Sequence, residues 1–130
     1  MRTSTCLVAM MLALTALGAC SSRPIEDIKR IFKPSKGEPQ LAAGIKSYED
    51  GRYNQATTNF QNALTAGLSD DDEITANKYL AFVSCVQGRD RQCRAYFRRA
   101  LELNPAFELA PAEAGHPIWG PVFRSVKGRR

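Results

Sequence analysis

The chain has 130 residues, 44% hydrophobic and 24% charged, which leaves room for one globular domain and argues against a multidomain enzyme. Eighteen basic against thirteen acidic residues give a formal charge of +5, well short of the dense basic stripe with which nucleic-acid binders contact phosphates. Aromatics at 8%, with nine glycines and seven prolines, exclude a collagen-like, low-complexity or wholly disordered chain.

Arg2 followed by a 12-residue apolar run, Cys6 to Leu17, reads as a signal peptide over residues 1–19. The run is shorter than the roughly 20 apolar residues that a spanning helix takes, so no permanent transmembrane segment is expected there. Its end, Leu17-Gly18-Ala19-Cys20 followed by Ser21-Ser22, resembles the lipobox of bacterial lipoproteins. That resemblance implies cleavage before Cys20 and acylation of its thiol. Because Ser21 and not Asp follows, it also implies sorting to the outer membrane, with the rest of the chain facing the periplasm. Several acyl chains exceed the two signals that stable anchoring takes. The alternative is an unmodified Cys buried in an apolar signal region.

Residues 20–39 read as a tether with one short amphipathic helix, in which Ile25, Ile28, Ile31 and Phe32 share a face. Pro34 stops it, and Lys36-Gly37-Glu38-Pro39 reads as loop. Such a helix either docks on the domain or lies on the membrane surface beside the lipid.

Residues 40–107 contain an internal repeat. Gly51 and Gly88, Phe60 and Phe97, and Ala63 and Ala100 are each separated by the same 37 positions (88 − 51, 97 − 60, 100 − 63), so one offset superposes three residue types at once. Gly44 and Ala81 are small where helices of a hairpin would cross, as are Ala56 and Cys93 on the second helices. Gly51 and Gly88 fall at the hairpin turns, where a left-handed backbone favours glycine. Asp70-Asp71-Asp72-Glu73 marks the start of a helix, where negative charge suits the dipole. The pattern resembles the tetratricopeptide repeat with three extra residues between units. The expected fold class is therefore all-α: two TPR-like helical hairpins, a short α-solenoid, with a C-terminal capping helix. An unrelated four-helix bundle is the alternative. Ser47, Asp50 and Ser84 depart from the repeat consensus, which predicts loose packing of the first unit.

Two repeats leave an apolar end exposed, and about three are normally needed to bury a continuous core. Residues 108–130 are expected to cap it. Ile118, Trp119, Val122, Phe123 and Val126 fall on one helical stripe, with Pro117 near its start and Pro121 expected to shorten or kink it. Either Trp119 closes the second repeat, or Trp119 and Phe123 form an exposed docking ridge.

The sequence offers little to an enzyme. His116 is the single histidine, so neither a Ser-His-Asp arrangement nor a two-imidazole zinc site can be assembled. The acidic run lacks the alternation of a calcium loop. No catalytic residue, no metal and no cofactor beyond covalent lipid on Cys20 is expected, and no nucleic acid or small-molecule substrate.

Cys85 and Cys93 flank the second hairpin turn, in a chain expected to live in an oxidising compartment. They either form a disulfide, which needs Cα atoms within about 7 Å, or remain two small buried thiols.

Function then falls to surfaces. First helices of tetratricopeptide hairpins line a concave face, which here selects Leu41, Ile45, Tyr48, Glu49, Lys78, Phe82 and Val86 as a partner-binding groove for a helix or extended peptide. The chain's own tail or N-terminal helix is the competing occupant. A second surface is basic: Arg91, Arg94, Arg98 and Arg99 lie on the second helix of the second repeat, either as a solvated face or as a grip on an acidic partner, lipid headgroup or anionic cell-wall polymer.

The lipobox, Tyr48-Glu-Asp-Gly-Arg-Tyr53, Lys78-Tyr-Leu-Ala-Phe82, Phe97-Arg-Arg-Ala100 and Glu113-Ala-Gly-His-Pro-Ile-Trp-Gly-Pro-Val122 together resemble the tetratricopeptide lipoproteins associated with type VI secretion clusters. That resemblance implies an accessory scaffold contacting envelope components of the secretion machine. A cell-wall or anionic-polymer binder using the Arg face is the alternative.

Overall fold

The computed structural model describes residues 34–129, so the expected signal peptide, Cys20 and the expected amphipathic helix at residues 25–32 lie outside the described residues. Those residues are all-helical: α1 (Glu38–Glu49), α2 (Tyr53–Ala66), α3 (Asp70–Val86), α4 (Asp90–Leu103), α5 (Pro111–Ala114) and α6 (Trp119–Lys127). α1 packs on α2 and α3 on α4, while α3 also touches α1 and α2. α6 packs across α4 and α3.

α1 begins inside the stretch expected to be loop. Pro39 sits in its first turn, where the missing N–H would have no helical partner anyway. Just before it, Gly37 donates its N–H to the Gly67 carbonyl at 3.0 Å, and a Cβ there would lie 2.2 Å from the Ala63 carbonyl oxygen. The entry to α1 therefore passes the end of α2 too closely for any side chain.

The ends of α1 and α3 are built alike. Gly51 has φ +72° and Gly88 φ +71°. The N–H of Gly51 donates to the Tyr48 carbonyl at 3.0 Å and that of Arg52 to the Ser47 carbonyl at 2.8 Å. Gly88 donates to Cys85 at 3.0 Å and Arg89 to Ser84 at 2.8 Å. Both are Schellman motifs, in which a left-handed glycine folds two N–H groups back onto orphan carbonyls of the last turn. The glycine, the serine and the bonds recur at the 37-residue offset seen in the sequence.

α3 starts where its acidic run predicts. The Ser69 hydroxyl oxygen accepts from the Asp72 N–H at 3.3 Å, and Asp70, Asp71, Asp72 and Glu73 occupy the first turn. α4 ends at Asn104, whose side-chain oxygen accepts the Ala106 N–H at 2.9 Å while Pro105 forbids continuation. Residues 107–110 then run without helix to the short α5, which the sequence does not announce. Pro121 falls in the first turn of α6, so it removes no needed bond, and the helix is short at nine residues, continuing to Lys127.

The core has two connected parts. Leu41, Ala56, Phe60, Ala63, Ala76 and Leu80 form one, and Phe82, Phe97, Leu101, Leu109, Trp119, Phe123 and Val126 anchor the other. Tyr48, Tyr79 and Tyr96 pack against both. Aromatic contacts run through them, from Phe60 on Tyr79 (ring centroids 5.5 Å) to Phe82 (5.9 Å), Phe97 (6.1 Å) and Phe123 (5.2 Å). Ser47 is buried without leaving its hydroxyl unpaired, because Asn59 donates to it at 3.3 Å. The polar position in the first pair is thus packed and satisfied, in place of the looseness expected.

Cys85 in the last turn of α3 and Cys93 in the first turn of α4 are joined as a disulfide, with Cα atoms 5.1 Å apart. Closing that short loop is worth roughly 2.6 kcal/mol by the chain-entropy relation. Reduction, or Cys85→Ala with Cys93→Ala, is expected to lower the melting temperature by on the order of 10 to 20 °C. Melts with and without reductant check this; coincident curves would show that the bond adds nothing.

Candidate functional site

The seven residues assigned to a concave groove do not form an open one. Phe82 is 1% exposed, and the Trp119 ring stacks on it with centroids 4.3 Å apart and planes 20° off parallel. Leu41 is buried in the first part of the core with Phe60 and Leu80. Val86 is partly buried against the second part of the core. These three assignments are corrected for two reasons: Leu41 is taken up by the packing of α1 on α2 and α3, and Phe82 and Val86 are covered where residues 107–127 fold back over α3 and α4. Trp119 and Phe123 are accordingly buried and form no docking ridge.

Lys78 is also committed. Its ammonium lies 2.6 Å from the Glu113 carboxylate in α5, with both side chains largely covered, and 4.8 Å from the Tyr79 ring centroid. Glu113 is held in turn: its other carboxylate oxygen accepts the Ala110 N–H at 3.0 Å, and its carbonyl accepts the Trp119 indole N–H at 2.9 Å. The result is a latch joining α3, α5 and α6. Partly buried and hydrogen-bonded on both sides, it carries more weight than a surface pair. Glu113 was not among the expected site residues, since a partner 35 positions from Lys78 leaves no local spacing signal.

Three of the seven remain accessible. Ile45 and Tyr48 are half-buried along α1 and Glu49 is exposed. Tyr48 packs edge-on to Tyr79 at 5.0 Å and lies 5.8 Å from Tyr53. Burial, aided by the Tyr53 and Tyr79 phenols and the Glu113 carboxylate, pushes the Tyr48 phenol from 10.0 up to about 12. The fold therefore prefers the neutral phenol. Its contribution is complete below the unfolded value near 10 and is lost as pH rises through about 12. In urea melts across that alkaline window Tyr48→Phe is expected to lose less stability than the wild type; parallel losses would mean that Tyr48 titrates as it does unfolded.

The four arginines assigned to one basic face divide between two flanks of α4. Arg99 turns toward α3, where it donates to Glu73 at 2.9 Å, and it lies 3.7 Å from Glu102, so its place on the common face is corrected. Arg91 and Arg98 are exposed, and Arg94 is half-buried with Asp90 at 3.9 Å. Arg94 and Arg98 line a cavity of about 200 Å³ between α4 and α6, together with Glu102, Ser125, Val126 and Arg129.

Among the described residues no group of three His, Cys, Asp or Glu side chains is placed to hold a metal ion, and no helix is long and apolar enough to cross a membrane. His116 stacks on Trp119, and its Nδ1 accepts the Ile118 N–H at 3.2 Å, which commits the single histidine to the turn before α6. Ile118 is the large apolar side chain left exposed among the described residues, at 47%.

Comparison of the chain with protein-family models, with curated proteins and with solved structures gives no match.

Proposed function

We propose that this chain is a lipid-anchored, TPR-like interaction module of the bacterial outer membrane, facing the periplasm and serving as an accessory scaffold of a type VI secretion envelope complex, with no catalysis of its own. The observation that carries the helical-repeat part is the Schellman motif repeated 37 residues apart, with Gly51 and Gly88, Ser47 and Ser84, and matching bonds at 3.0 and 2.8 Å. A repeat built to one plan at both turns is what stacked hairpins of this kind require. The anchor rests on the lipobox at Cys20 and the secretion link on the sequence resemblance. The contact surface left to a partner is the α1 edge at Ile45, Tyr48 and Glu49.

Metabolic labelling of the full chain with a palmitate analogue tests the anchor. Label is expected on the wild type and absent from Cys20→Ser, which should leave the membrane fraction. Site-specific photo-crosslinking from Ile45 and Glu49 in intact envelopes tests the partner. Adducts with a component of the secretion machine are expected from both positions and not from exposed Gln61 on α2. Labelling of Cys20→Ser at wild-type level overturns the anchor, and adducts equally strong from Gln61 overturn the α1 contact.

A further inference from the structure

We propose that the cleft between α4 and α6 binds a phosphate group. Three guanidinium groups, Arg94, Arg98 and Arg129, line it against one carboxylate, Glu102. Among the described residues neither Arg98 nor Arg129 has an ion-pair partner, and the Asp90 pair of Arg94 stands at 3.9 Å between half-exposed and exposed groups, where it compensates little. Glu102 also lies 3.7 Å from Arg99, which does not line the cleft, so its charge is shared. Three like charges thus converge with little neutralisation, which costs repulsion in the empty cleft and raises the local potential for an anion.

The shape of the cleft suits this charge. About 200 Å³ far exceeds the roughly 15 Å³ that one water takes, so an oxyanion fits with room for its substituent. Buried Val126 supplies an apolar wall that concentrates the field, and Ser125 adds a hydroxyl donor. A guanidinium fork matches two oxygens of a phosphate at once. Donors arriving from two helices and from the chain beyond α6 favour a tetrahedral acceptor, which offers oxygens in several directions, over a planar carboxylate. The group can come from a free phosphate or from the diester of a phospholipid headgroup. Either source stands independently of the interaction-module proposal.

The test is calorimetric titration of the full chain in detergent, at constant ionic strength, with inorganic phosphate, with glycerophosphoglycerol as the headgroup diester, and with malonate as a planar dicarboxylate. Saturable binding of phosphate or of the diester is expected, with malonate weaker by about tenfold. The tighter of the two phosphate probes identifies the source. R94Q with R98Q should weaken binding by at least about tenfold, whereas R89Q with R91Q, which removes the same charge from exposed positions outside the cleft, should change it less than about twofold. Circular-dichroism melts confirm that both variants fold. No saturation by either phosphate probe at millimolar concentration, malonate binding as tightly as they do, or equal losses in the two double variants would overturn the proposal.

Discussion

Phe97→Ala is expected to destabilise the helical unit by about 3 to 5 kcal/mol, the range for emptying an aromatic site in a packed core. Phe97 is fully buried at the centre of α4, with Phe82 at 6.1 Å on one side and Phe123 at 5.2 Å on the other. These neighbours come from two different helices, α3 and α6, so the void cannot close by shifting one of them. Against a total stability of roughly 5 to 15 kcal/mol, the loss is a large fraction. The melting temperature should fall by at least about 12 °C, while Phe97→Leu, which keeps much of the volume, should lose less. A melt of the alanine variant within a few degrees of the wild type would place Phe97 outside the core.

The same residue shows why the repeat was legible from the chain alone. A glycine, a phenylalanine and an alanine at one offset report a backbone condition, a packing condition and a clearance condition together. The structure meets each: φ is positive at Gly51 and Gly88, Phe60 and Phe97 are fully buried, and so are Ala63 and Ala100. Gly44 obeys the same logic, since a Cβ there would lie 2.6 Å from the Phe60 ring. Each of these conditions is local or periodic, which is the form in which sequence carries structural information. Gly67, with φ +98°, turns the chain between α2 and α3 without a counterpart at the offset, and nothing in the pattern singled it out.

The candidate surfaces were less legible because they depend on where one segment lands on another. Assigning Phe82 to a groove follows the repeat pattern, but the pattern does not decide between a partner and the competing tail, whose Trp119 is tethered and always present. Tethering gives it a high effective concentration, so the intramolecular contact wins. Likewise the spacing of Arg91, Arg94 and Arg98 placed them on one face, yet only the packing of α6 on α4 separates Arg98, beside Arg129, from Arg91. Arg99 is adjacent to Arg98 in sequence and faces Glu73 on α3. Helix periodicity gives the direction of a side chain and says nothing about what stands opposite.

Trp119→Ala tests that competition, and its effect is expected to rival that of Phe97→Ala, at about 3 to 5 kcal/mol. The substitution removes the ring stacked on Phe82 and the indole donor that reaches the Glu113 carbonyl at 2.9 Å. Losing the donor loosens α5, and with it the carboxylate that neutralises Lys78. The damage is therefore directional: α6 should release from α3 before the helix pairs themselves separate. Lys127, whose ammonium pairs with Glu108 and donates to the Phe107 carbonyl at 3.0 Å, would be freed with it. Trypsin cleavage at Arg124 and Lys127 under native conditions should accelerate at least about tenfold, while helix content from far-UV circular dichroism falls by little more than the contribution of α6. Trp119→Phe, which keeps a ring on Phe82 but cannot donate, should lie between the two. If Trp119→Ala unfolds the whole unit in one step with no early cleavage at Arg124 or Lys127, the C-terminal segment is an inseparable part of the core. If cleavage comes first, α6 is a displaceable cover over the face that includes Phe82, and the surface open to a partner extends beyond the α1 edge.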